Sequence, residues 1–267
     1  MEFKGLSVLV VGASSGIGKE LALELADRGA RVMVAARRAD RLEAVAREAQ
    51  ARGGQCIAHA VDAQDSEAAE RLVQACVQAY GGLDLLVLNA GGAPALDLRV
   101  LDAPEVLSYM RSNYDVAVNV LMPALHHMRE RRSGTVAVTN SLAGLIGVPL
   151  QGPYSAAKGA LRLLIDTARV EFAGDGIHFV SIYPGFIATE AVAGDGMKPQ
   201  FELSEAQAVA HMLRAIGSRR MDYAFPWRTK MLVRLATLLP KRLTVRVLRG
   251  DVPDQPRRPV KSMEPRR

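Results

Sequence analysis

Short, almost wholly apolar runs alternate along the chain with longer amphipathic segments. Ser7–Val11 reads as a strand buried on both faces, since a half-exposed strand would alternate apolar with polar positions. It runs into Gly12-Ala-Ser-Ser-Gly-Ile-Gly18, after which residues 19–28 carry apolar side chains at helical spacing. The cycle then repeats. Strands are predicted over Arg31–Ala36, residues 55–61 and residues 83–88, with helices over residues 40–52 and Ser66–Tyr80 between them. Further on, residues 104–132 predict a mainly helical stretch with a break and Gly134–Thr139 a strand, and residues 152–173 predict a long helix. Residues 177–182 form the sixth strand, residues 204–216 a helix, and residues 221–225 the last strand. The looser stretch 186–203, with Gly194, Gly196 and Pro199, predicts a movable lid.

Seven strands separated mostly by helices predict one doubly wound α/β domain over residues 1–226, a mainly parallel sheet with helices on both faces. Two cysteines, Cys56 and Cys76, make no disulfide framework, and no apolar run is long enough to cross a bilayer. The first residues lack a secretory pattern, so the expected location is the cytoplasm. Charge adds a division that periodicity does not show. The net charge is +6, but residues 219–267 hold 14 basic and 4 acidic side chains, so the body is acidic and the end strongly basic. Cationic excess confined to one end argues against a nucleic-acid partner and leaves room for an anionic surface. Residues 227–250 place Met231, Leu235, Leu238 and Leu239 at helix-like separations, with Lys230, Arg234 and Lys241 at other angles, until Pro240 interrupts. Such an extension either covers a pocket, packs against the domain or its oligomer, or lies on an anionic membrane as a peripheral contact. Residues 251–267 predict a flexible tail.

The chemistry starts at the first turn. Gly12, Gly16 and Gly18 permit a tight bend and close approach, and with Ser14, Ser15 and Ile17 they set helix-start amides where a phosphate would sit. The spacing G-x-x-x-G-x-G is looser than the stricter dinucleotide fingerprint, and a purely structural turn is the alternative. After strand two, where an acidic residue commonly holds a ribose, this chain has Arg37 and Arg38. Two guanidiniums suit a 2′-phosphate and so predict NADP(H) over NAD, a solvated basic helix start being the alternative. Asp62 after strand three either accepts from an adenine amino group or organises its turn, and Asn89-Ala90-Gly91 offers polar contacts or simply a turn.

Tyr154 and Lys158 stand at i,i+4 on one helix, which puts a phenol and an ammonium on one face. A free phenol has a pKa of about 10, and a neighbouring cation brings proton transfer closer to neutrality. Ser141 lies just past strand five, where its hydroxyl can stabilise a developing oxygen charge. Asn119, inside a helix where an amide has no advantage, either holds a water near Lys158 or satisfies a buried backbone group. The five histidines have no metal-ligand spacing, so no metal is expected.

In this order these motifs resemble the classical short-chain dehydrogenase/reductase family over roughly residues 5–226, with Val11 in place of the family's threonine and Leu88 in place of the first asparagine of N-N-A-G. The resemblance implies a Rossmann-like fold. It also implies reversible hydride transfer between a nicotinamide and a carbonyl or alcohol carbon, with Asn119, Ser141, Tyr154 and Lys158 as the tetrad. Pro184, Gly185, Ile187 and Thr189 would form the nicotinamide-side segment, and Asp62 the adenine-side position. The expected activity is NADP(H)-dependent reduction of a ketone or aldehyde. The apolar residues around positions 142–151 and 186–201 suggest a lipophilic substrate. The family also implies a homodimer or homotetramer. The alternatives are NAD-dependent alcohol oxidation and a nucleotide-binding regulator or scaffold without turnover.

Overall fold

The computed structural model describes residues 1–188 and 201–256. Seven parallel strands form one sheet in the order β3-β2-β1-β4-β5-β6-β7. They are β1 Ser7–Val11, β2 Arg31–Ala36, β3 Gln55–Ala60, β4 Leu85–Leu88, β5 Gly134–Thr139, β6 Ile177–Pro184 and β7 Asp222–Phe225. All of β1 is buried, which explains its unbroken apolar sequence: Val8 and Val10 enter the core on one face of the sheet, Leu9 and Val11 the core on the other. Helices α1 Gly16–Asp27, α2 Ala39–Ala51 and α7 Glu205–Gly217 supply the first core. Helices α3 Ser66–Tyr80, α5 Val116–Arg131 and α6 Gly152–Glu171 supply the second. Chain order reverses between β1 and β4, which lie side by side with Val11 opposite Leu88, and a ligand crevice opens at such a reversal beyond the strands' carboxyl ends.

The break expected in residues 104–132 is a π-helical turn, Arg111–Asp115, between α4 Ala103–Met110 and α5. A π turn inserts one residue into an otherwise continuous helix and redirects the side chains around it. The lid expected over residues 186–203 and Thr189 lie largely or wholly outside the described residues, as does most of the expected flexible tail.

After β7 the chain continues as α8 Trp227–Leu238 and α9 Lys241–Leu248, divided at Leu239 and Pro240. No residue of α8 is buried, and Thr244 alone is buried in α9, where its Oγ1 donates to the Ala236 carbonyl at 3.3 Å. The extension starts against the end of β6: a Cβ on Gly185 would sit 3.2 Å from Pro226 Cδ and 3.4 Å from Thr229 Cγ2. Its far end is tied to the loop after β4, because Arg99 Nη2 donates to the Pro253 carbonyl at 2.9 Å. Its two attachments thus lie beside the carboxyl ends of β6 and β4.

Candidate active site

The first wall of the crevice is the turn from β1 into α1. Gly12 and Gly16 hold left-handed backbone, φ 85° and 59°, which disfavours any residue with a Cβ. A Cβ on Gly12 would lie 2.5 Å from Ala90 Cα, and one on Gly18 would collide with the Gly12 carbonyl, so the β1 turn reaches the β4 end only because it has glycine at both positions. Asn89 locks them together: its backbone N–H donates to the Val11 carbonyl and its Nδ2 to the Gly12 carbonyl at 3.1 Å. Its Oδ1 is buried and has no partner. Ser15 occupies the N-cap of α1 without capping it, leaving the first amides of that helix unanswered by a side chain. The Ser14 and Ser15 hydroxyls accept from Arg38 instead, each at 2.8 Å from Nη2, while Arg37 is exposed beside them. A glycine turn open to close approach, open helix-start amides and an orphaned amide oxygen fit the phosphates and ribose of a dinucleotide. Asp62 is exposed, and its Oδ1 accepts from the Gln64 amide at 3.0 Å, so the turn-organising contact is present.

The second wall is made by β5, the short turn after it, and α6. Ser141 leaves β5 in extended backbone and its Oγ accepts from the Ala143 amide at 3.1 Å. The 3-10 turn Leu142–Gly144 presses so closely on α6 that a Cβ on Gly144 would come within 3.0 Å of Lys158 Cβ. That close approach joins Ser141 to Tyr154. Burial pushes the Tyr154 phenol above its ordinary pKa, and a hydrogen bond from the Ser141 hydroxyl opposes the rise by stabilising the phenolate. Lys158 is 3% exposed, donates from Nζ to the Thr139 carbonyl at 2.8 Å, and stands 5.7 Å from the centre of the Tyr154 ring. Desolvation lowers its pKa to about 8. Both members of the pair are therefore shifted toward their neutral forms by burial, with Ser141 pulling the phenol the other way.

Asn119 is not part of this cluster. Its Nδ2 donates to the carbonyls of Ala63 and Gln64, both at 3.0 Å, so it ties α5 to the loop after β3 and satisfies backbone there, the second of the two roles its position allowed. The amide beside Lys158 belongs to Asn113, 2% exposed, in the π turn. Its Oδ1 accepts from the Gly92 amide at 3.0 Å and its Nδ2 donates to the Tyr109 carbonyl at 3.0 Å. A Cβ on Gly91, whose φ is 137°, would meet that Oδ1 at 2.5 Å and Lys158 Nζ at 3.6 Å. Sequence periodicity missed Asn113. One signal for it was present: Ser112-Asn113-Tyr114-Asp115 is a run of weak helix formers inside a long helix.

Pro184 ends β6, and the Gly185 amide donates to the Phe225 carbonyl at 2.7 Å. Ile187 is buried and bridges to Leu203, carrying this segment along the rim of the crevice. Buried polar atoms without partners gather at the strand ends: Thr139 Oγ1 and both side-chain atoms of Asn140 join Asn89 Oδ1. Among the described residues no group of three or more His, Cys, Asp and Glu is placed to hold a metal ion.

Residues 7–199 match the family model described as short chain dehydrogenase. An uncharacterized oxidoreductase of Myxococcus xanthus is 35% identical over 89% of this chain and 94% of its own length. An L-rhamnose 1-dehydrogenase (NAD(P)(+)) of Azotobacter vinelandii is 34% identical over 69% of this chain and 74% of its own length. An 11-beta-hydroxysteroid dehydrogenase 1A of Arabidopsis thaliana is 35% identical over 74% of this chain and 57% of its own length. With that match, the seven-stranded parallel sheet and the crevice at its β1–β4 reversal, the chain belongs to the classical short-chain dehydrogenase/reductase family, whose members are hydride-transfer oxidoreductases.

Proposed function

We propose that this protein is an NADP(H)-dependent reductase of a lipophilic ketone or aldehyde, able to run in reverse as an alcohol dehydrogenase. The observation that carries the reading is the hydrogen bond between Ser141 and the phenol of the half-buried Tyr154, with Lys158 on the same helix face. When bound, the nicotinamide supplies the hydride that reaches the carbonyl carbon. The chain supplies the proton and the geometry. Ser141 donates to the substrate oxygen and fixes it beside Tyr154, whose phenol protonates that oxygen as negative charge develops. Lys158, in its protonated form, favours the resulting phenolate, and Asn113 positions the Gly91–Gly92 backbone against it. In oxidation the same phenolate takes the alcohol proton.

The cofactor preference is read from Arg37 and Arg38. Arg38 lies on the serines of the glycine turn, and two guanidiniums at the strand end where an acidic residue commonly holds a ribose favour the extra phosphate of NADP(H). Tyr154→Phe should lose at least about a hundredfold in kcat, the range of general acid catalysis, while its Kd for NADPH holds. Retained turnover would remove Tyr154 from the mechanism. Arg37→Asp with Arg38→Asp should shift relative kcat/KM from NADPH toward NADH by about 2 kcal/mol or more, the size of charge-assisted hydrogen bonds. An unchanged ratio would reject the assignment.

A lipophilic substrate is supported by the apolar supply at Leu145, Ile146, Val148, Leu150 and Phe186. The hydroxysteroid dehydrogenase among the relatives is consistent with it. A homodimer or homotetramer through α5 and α6 is supported by the exposed Met122, Leu163 and Val170 on those helices, and solution mass measures it directly.

A further inference from the structure

Helix α8 carries its apolar side chains on the side away from the domain. Thr229, Val233 and Ala236, at i, i+4 and i+7, are the half-buried face that meets the protein. Trp227, Met231, Leu235 and Leu238 form a second stripe at i, i+4, i+8 and i+11, and they are 69%, 44%, 57% and 82% exposed. An amphipathic helix packed on its own domain would show the reverse. The continuation does the same on a smaller scale, with Val245 and Val247 exposed on α9.

Around these apolar positions the charge has one sign. Residues 227–249 contain seven arginines and lysines and no acidic residue. From these two features we infer that the outer face of α8 and α9 is a peripheral docking face for a bilayer rich in anionic phospholipid. An apolar stripe inserted at the headgroup boundary, rimmed by lysines and arginines against lipid phosphates, is the arrangement that holds an interfacial helix without spanning. No helix among the described residues is long and apolar enough to cross a membrane, so the contact is with the surface. A second copy of this chain is a poorer occupant: a two-fold contact matches a patch with itself and would set seven cations against seven. The extension is attached beside the ends of β6 and β4, so docking on this face holds that end of the sheet near the lipid surface.

The test uses the full chain with sedimenting vesicles of phosphatidylcholine alone or with phosphatidylglycerol, and needs no substrate. Wild type is expected to pellet with the phosphatidylglycerol vesicles, to be released by raised salt, and to stay in solution with phosphatidylcholine alone. Leu235→Asp with Leu238→Asp, and separately Lys230→Glu with Arg234→Glu, should each lower the bound fraction about tenfold. Arg234, Leu235 and Leu238 are exposed and Lys230 is half-buried, and unchanged melting temperatures would exclude unfolding as the cause. Failure of wild type to pellet, or equal pelleting of wild type and both variants, would overturn the proposal. So would an oligomer that the aspartate pair splits, which assigns the face to a second copy. None of these readouts depends on the reductase reading, so either can fail alone.

Discussion

At Lys158 the needs of the site oppose those of the fold. A lysine buried to 3% with one carbonyl partner has its pKa lowered to about 8, and a shift from 10.5 corresponds to about 3 kcal/mol of unfavourable burial of the charge. The sign follows from proton binding: between pH 8 and 10.5 the unfolded chain holds a proton on this lysine that the folded chain has released. Stability from this group therefore rises with pH across that window, and below it the full cost is present. Lys158→Met keeps the volume and removes the charge, so at pH 7 it should raise stability by about 1–3 kcal/mol while abolishing turnover. Urea unfolding at pH 7 and pH 10 checks both parts, since the gain should shrink at the higher pH. The i,i+4 spacing of Tyr154 and Lys158 was legible in the sequence because one helix carries both. The opposing pKa shifts were not, because they depend on how closely Gly144 lets α6 approach β5.

Between residues and the whole stand the elements, and the two asparagines show what periodicity misses at this scale. Apolar spacing predicts a broken helix over residues 104–132 and says nothing of a one-residue insertion, yet that insertion decides which asparagine faces Lys158. The strands were easier to read, since β1 and β4 are apolar on both faces and no helix of that length is. Asn119 fills the structural role and Asn113 stands at the site, so their variants should separate. Asn113→Ala leaves the Gly92 amide without its acceptor at a cost of about 1–3 kcal/mol, and kcat should fall about tenfold or more as the loop beside Lys158 loosens. Asn119→Ala should cost about 1 kcal/mol of stability with kcat unchanged. Measuring kcat and the urea midpoint for both variants distinguishes them, and a kcat loss confined to Asn119→Ala would return the catalytic role to it.

The molecule as a whole divides energetically where its charge divides. Residues 1–226 hold both cores and the complete sheet, whereas α8 and α9 bury one residue between them and keep much of their apolar surface in solvent. Charge counting found that boundary in the sequence, but not the side on which α8 is apolar, because a helical pattern records angles around its own axis and not the position of its neighbour. Hydrophobic stabilisation scales with apolar area removed from water, so so little burial predicts little stability. Removing residues 227–256 and the remaining tail should lower stability by only about 1 kcal/mol in urea unfolding. The consequence for catalysis is different. The same segment is attached beside Gly185 and to Arg99, at the carboxyl ends of β6 and β4, so its loss should raise KM for a large lipophilic carbonyl several-fold and leave KM for a small aldehyde and for NADPH nearly unchanged. A truncated chain that unfolds cooperatively near the wild-type midpoint and discriminates large from small carbonyls as wild type does would show that the extension contributes nothing to the pocket, leaving its outer face as its remaining use.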